Sequence, residues 1–176
     1  MKNHLLLCFV FCLTGGLQMV SAQTETAAIA AEWERAKAYT LEYLEAMTDE
    51  GYNWKPTPEV RTFAGQMLHL TDANFGLAAA AFGKESPVGR GENENAEDQS
   101  KENVIKLVTA GYDYVIEGIK GMNDADLNEK IKLFGQFEVT RRGALDKTFE
   151  HQTHHRGQTT LYLRLAGVKP PQEKLF

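Results

Sequence analysis

The sequence has little cysteine, and what it has sits at the very start. Cys8 and Cys12 are the two in the chain. Both fall inside Leu5-Leu6-Leu7-Cys8-Phe9-Val10-Phe11-Cys12-Leu13, an apolar run too short to span a bilayer, which follows the positive Lys2. Val20-Ser21-Ala22 supplies the small residues of a signal-peptidase site, so residues 1–22 are expected to be removed on export and residues 23–176 to form the mature domain. A lipoprotein would need a small residue before a cysteine, where Leu7 and Phe11 stand. The mature chain then holds no disulfide and no thiol nucleophile or thiolate ligand. Its expected place is the bacterial periplasm or the outside medium.

Other absences narrow the class further. No apolar run after Ala22 is long enough to cross a membrane. Clusters of basic residues are missing, and 19 Lys and Arg face 24 Asp and Glu for a net charge of −5. That balance argues against nucleic acid or an anionic membrane as partner. There is no internal repeat, no nucleotide-binding glycine loop and no Ser/His/Asp signature. The length suits one domain with one sizeable core.

What is present is mostly helical period. Ile29, Trp33, Ala36, Thr40, Tyr43/Leu44 and Met47 recur at three- and four-residue steps, predicting a first helix over Thr24 to Met47. Gly51 and Pro56-Thr57-Pro58 interrupt it. A second helix is expected over Glu59–Phe82 with the stripe Phe63, Met67, Leu70, Asn74, Leu77, Ala81, and a third over Asp98–Met122 with Val104, Leu107/Val108, Tyr112, Val115 and Ile119. Lys130–Gly135 reads as extended but too short to build a sheet. The fourth helix is expected to start behind Thr140 as N-cap, run to Ala166, and stop at Gly167 and Pro170-Pro171. The polar segment Gly83–Glu97 is the longest loop. About fifteen residues reach at most ~50 Å, more than the ~36 Å of the second helix, so the loop is long enough to return along the bundle and set helix three parallel to helix two. A free surface loop would suit the same composition.

The chemistry concentrates in His151-Gln152-Thr153-His154-His155-Arg156-Gly157-Gln158. At about 100° per residue, His151 and His155 lie only about 40° apart on one helix face, so two imidazoles can reach one point. The other mature-chain histidine, His69, is the one left to complete a three-imidazole metal site. It stands beside Gly65, Ala73, Gly76 and Ala80, small residues that leave space around a ring. The same glycines would also suit a close helix–helix contact with His69 as a partly buried, hydrogen-bonded residue. His154 turns to the other side, as a surface or supporting residue paired with Glu150. Asp72 and Glu150 are placed to orient a ligand ring from behind, and Gln152, Thr159, Tyr162 and Trp54 are candidate substrate-side groups, the last two equally suited to the core.

Arg61-Thr62-Phe63-Ala64-Gly65-Gln66-Met67-Leu68-His69-Leu70-Thr71-Asp72-Ala73-Asn74-Phe75, followed by the HxxxHRGQ stretch from His151 and by Leu161-Tyr162-Leu163-Arg164-Leu165, resembles the DinB-like (DinB/YfiT-like) metal-binding family over essentially the whole mature chain. The resemblance implies an all-α four-helix bundle, up-down-down-up, with a long crossover between helices two and three. It implies a divalent metal on His69, His151 and His155, with His154 outside the triad, and a tendency to pair into homodimers. Among relatives it implies thiol S-transferases and other metal-dependent enzymes; export would separate this chain from cytosolic thiols. Three neutral imidazoles suit Zn, Ni, Fe or Cu and leave positions open for a small-molecule substrate. Two functions follow: a metal-dependent hydrolase or transferase, or a non-catalytic metal-binding or stress-associated module.

Overall fold

The computed structural model describes residues 23–176, so the expected signal segment, residues 1–22, lies outside the described residues. Each helix begins where a hydroxyl can take an orphan amide. Thr24, Thr62, Ser100 and Thr140 accept from Ala27, Gly65, Asn103 and Gly143, opening α1 (Glu25–Ala46), α2 (Phe63–Phe82), α3 (Lys101–Lys120) and α4 (Arg141–Leu165). The expected start of α2 at Glu59 is corrected to Phe63: the Phe63 amide donates back to the Trp54 carbonyl at 3.0 Å and Thr62 caps, which holds Glu59–Arg61 out of the helix. Likewise α3 starts after Asp98, whose carboxylate takes the Ser100 amide at 2.9 Å. Gly83 at φ +66 and Gly167 at φ +77 close α2 and α4 in left-handed turns, with Lys84 and Val168 donating five residues back to Ala79 and Leu163.

Cross-helix contacts fix the directions. On α1 and α3, Lys37 meets Asp113 and Thr40 meets Tyr112, while Lys101 donates to the carbonyls of Glu45 and Met47, so the two run antiparallel. Between α2 and α4, Gln66 meets His155 and Tyr162 reaches Arg61, again antiparallel. Between α2 and α3, Phe75 and Phe82 both pack on Tyr114, a Cβ at Gly111 would meet Thr71, and one at Gly118 would meet Phe82. These pairs advance together, so α2 and α3 are parallel and the bundle is up-down-down-up. The Gly83–Ser100 segment is therefore the crossover, and it is fastened rather than free. Asp72 accepts from the Asn93 amide, the Asn93 side chain and the Glu94 amide at 3.1, 2.7 and 2.9 Å.

One expectation about extended structure is overturned. Lys130–Leu133 (β1) does build a sheet, pairing antiparallel with Phe137–Thr140 (β2) in the register Lys130↔Thr140 to Leu133↔Phe137. Four residues suffice because Leu133 is buried and Ile131 and Val139 pack on the core, so the hairpin does not stand alone. Thr140 ends β2 and caps α4, coupling hairpin and helix directly.

The core is apolar around Trp33, Phe63, Met67, Leu70 and Tyr112, but the middle of the buried face of α4, between Leu145 and Tyr162, is polar: Thr148, Gln152, His155, Arg156 and Thr159. Thr148 and Thr159 bond back to their own helix carbonyls at 2.8 and 2.7 Å. Gln152 Oε1 accepts from Tyr112 at 2.8 Å and from Arg156 at 3.1 Å, and the Arg156 guanidinium lies 4.6 Å from the centre of the Tyr39 ring. Among the described residues no helix is long and apolar enough to cross a membrane.

At Gly111 the parallel α2/α3 contact brings the opposing backbone close: a Cβ there would stand 2.9 Å from Thr71 Cγ2 and 3.6 Å from its Cα. Thr71 cannot swing away, since its hydroxyl is bonded to the Met67 carbonyl and it is fully buried. Gly111→Ala is expected to destabilise by about 1–3 kcal/mol despite its better helix propensity. Urea unfolding should show most of that loss restored by adding Thr71→Ser, which removes the opposing methyl.

Candidate metal centre

The antiparallel seam of α2 and α4 brings His69 against the pair one turn apart on α4. Ring centroids lie 5.3 Å apart for His69 and His151, 4.6 Å for His69 and His155, and 4.4 Å for His151 and His155. Each ring offers a nitrogen, and these atoms all lie within 4.8 Å of one another. Such a three-histidine group could hold a metal ion. Its members come from the two helices that the sequence spacing selects.

Two of the rings are aimed by groups behind them. His69 Nδ1 stands 2.8 Å from Glu94 Oε2. The carboxylate is an acceptor alone, so Nδ1 carries a proton and Nε2 is the nitrogen left to serve as a ligand. Arg61 Nε donates to the other Glu94 oxygen at 2.6 Å, fixing the carboxylate in place. His155 Nδ1 stands 2.8 Å from Gln66 Oε1, the same arrangement with an amide. Gln66 is in turn held near Tyr162, whose hydroxyl donates to the Arg61 carbonyl at 2.7 Å. His151 differs: its Nδ1 is buried with no hydrogen-bond partner.

Burial keeps the α4 imidazoles neutral. Desolvation, then the neighbouring rings and Arg61, pushes His151 down to about 4 and His155 to about 3. Burial alone would raise the Glu94 carboxyl, but hydrogen bonds from Arg61 and His69 and their charge outweigh it and hold it below the usual carboxylate range.

The structure sorts the remaining candidates. Asp72 does not touch a ligand ring; it holds the crossover and so carries Glu94 to His69. Glu150 pairs with Lys147 at 2.7 Å rather than with His154. His154 is exposed and bonded to Gln158, outside the triad. Gln152 and Thr159 are fully buried within the α4 core, and Tyr162 and Trp54 pack edge to face at 6.2 Å, so none of these four lines the site cavity. Glu94, Gln66 and Arg61 take the supporting roles instead. Gln66 had a readable signal, standing three residues before His69 on the same helix. Glu94 had none, since its loop carries no period.

A cavity of about 730 Å³ opens onto His69 and His151. Ala73, Gly76 and Ala80 of α2 form its floor, the crossover one wall and the hairpin tip another. The space expected beside His69 is therefore present. Gly65 takes no part in it, since a Cβ there would meet Thr62 and Arg61, and neither Gly65 nor Gly76 makes a close helix–helix contact.

Comparison with known proteins agrees with this architecture. The profile of the DinB superfamily matches residues 32–159, and the chain belongs to that family. A DinB-like protein from Bacillus cereus superposes with a TM-score of 0.72 at 22% identity, over 88% of this chain and 100% of its own. A DinB-like protein from Bacillus subtilis gives 0.64 at 19%, over 85% and 96%. A conserved protein from Enterococcus faecalis gives 0.66 at 17%, over 82% and 98%. At these identities the likeness is one of fold. No curated protein matches the chain.

The depressed values at His151 and His155 set a pH dependence of the metal-free protein. Between about pH 6.5 and 4.5 the unfolded chain binds protons at both imidazoles that the folded chain refuses, so stability is full above the unfolded value and falls as pH drops. Urea midpoints are expected to decline across this window, above the range where carboxylates contribute. His155→Gln should reduce that decline and leave the share of His151.

Proposed function

We propose that His69, His151 and His155 hold a divalent transition metal, Zn, Ni or Fe, and that the protein is a metal-dependent hydrolase or transferase. The observation that carries the reading is His151 Nδ1, buried and unpartnered between two rings whose own Nδ1 atoms are already engaged. A buried nitrogen without a partner costs about 1–3 kcal/mol. A metal ion held by the three rings would offset that, whereas burial resists protonation. The donor set fits a metal of intermediate softness.

In this reading Glu94 and Gln66 fix the tautomers of His69 and His155 so that Nε2 of each faces the centre. Arg61 neutralises Glu94 and keeps it bonded to His69. The three protein ligands bring no negative charge and leave the cavity side open. A divalent ion there would supply Lewis acidity to a carbonyl or acidify a coordinated water or thiol. The signal-like start of the chain favours the hydrolytic form, because an exported protein is separated from cytosolic thiols.

Metal analysis of the purified protein is expected to give one ion per chain. His69→Ala, His151→Ala and His155→Ala should each abolish retention, with His154→Ala near wild type. Glu94→Gln and Gln66→Ala should weaken affinity by about 10–100-fold. Full occupancy in His69→Ala would refute the assignment. Assays of ester, amide, lactone and thiol-transfer substrates should show turnover above a His155→Ala blank; none above it, with an ion saturated by side chains, would establish a non-catalytic binding module.

A further inference from the structure

The tip of the hairpin carries a residue that its backbone does not favour. Phe134 has φ +52 and is followed by Gly135 at φ +73, with the Gln136 amide donating to the Leu133 carbonyl at 3.1 Å. This is a turn with two left-handed residues, whose first position suits Asn, Asp or Gly. A bulky aromatic there is an outlier. The ring gains no burial in return, being 75% exposed, so it adds neither local nor core stability. What it does is line the cavity that opens onto His69 and His151. A strained residue held at a cavity points to a task there.

The rest of the cavity states what it would take. Its floor is Ala73, Gly76 and Ala80, and a Cβ at Gly76 would meet nothing within 4 Å, so the space in front of α2 is open. Leu77, Val88 and Leu133 make the sides apolar. Both carboxylates at the cavity are engaged, Asp72 with the crossover and Glu94 with Arg61 and His69. Arg61 is thereby occupied. Arg90 also lines the cavity, and among the described residues no hydrogen bond or ion pair engages it. The unassigned charge is a cation on a largely apolar chamber of a size that suits a small organic molecule.

We propose that this cavity receives an amphiphilic organic anion, with its apolar body between the Phe134 ring and the small-residue floor of α2 and its charged head at Arg90. As a substrate class, this rests on the reading of the triad as a reactive centre; as a binding site it does not, and the two are separated by measuring binding without metal.

The test is calorimetric titration of the metal-free protein with octanoate and with octylammonium, two probes of equal chain length and opposite charge. Octanoate should bind at least about tenfold more tightly than octylammonium. Arg90→Ala should erase that preference, and Arg90→Lys should keep most of it. Phe134→Asn should raise the melting temperature by about 2–4 °C as the turn is relieved, yet weaken octanoate about fivefold or more. Phe134→Tyr should bind as wild type. An Asn variant that melts higher and binds octanoate unchanged would overturn the role of Phe134. Equal affinity for the two probes, or no binding of octanoate, would overturn the anion site. If octanoate shows these dependences while no metal is retained, the cavity stands and the metal reading falls; metal retention without octanoate binding gives the reverse.

Discussion

Three imidazoles packed in one seam cannot all take up protons. Their centroids stand 4.4 to 5.3 Å apart, and burial together with mutual repulsion drives the two on α4 well below the ordinary histidine range. Those two are thus held neutral, with His69 beside them so that one nitrogen from each of the three rings lies within 4.8 Å of the others, and the surrounding structure can be read as the means of keeping this arrangement. The parallel crossover exists to let α2 face α4, and it is the crossover itself that delivers Glu94. Asp72, one turn along α2 from His69, grips that loop by three hydrogen bonds. A carboxylate that looked suited to orient a ring directly does so at one remove.

The polar interior of α4 belongs to the same design. Thr148, Gln152, Arg156 and Thr159 satisfy one another, their own helix and residues of α1 and α3. A buried polar network of this kind is satisfied only in one register. It therefore sets the rotation of α4 about its axis and, with it, where His151 and His155 point. Arg156 without its acceptors would leave a buried cation unpaired, which disfavours any rotated alternative.

Much of this was legible in the residues. The four amphipathic periods gave the bundle, the loop length allowed the crossover, and i,i+4 spacing paired His151 with His155. Boundaries slipped where capping decides and period is silent, at Thr62 and Ser100. The hairpin escaped because four residues carry too little pattern, and its strands hold through burial of Leu133, a tertiary fact. The supporting groups were least visible. Glu94 lies in a stretch of Gly, Glu and Asn with no periodicity, and only the fold carries it to His69. Gln152 and Thr159 share the inward face with the histidines, so their helical position could not tell a core network from a site.

On the proposed function, the triad holds one divalent ion and leaves a position open toward the cavity. Cobalt(II) loading with visible spectroscopy tests it most directly, because intensity and band position report coordination number and each added ligand. The expected result is one cobalt per chain, a spectrum of low coordination number, and a clear change on adding azide. A protein that takes up no cobalt, or one whose spectrum is indifferent to azide, would contradict it.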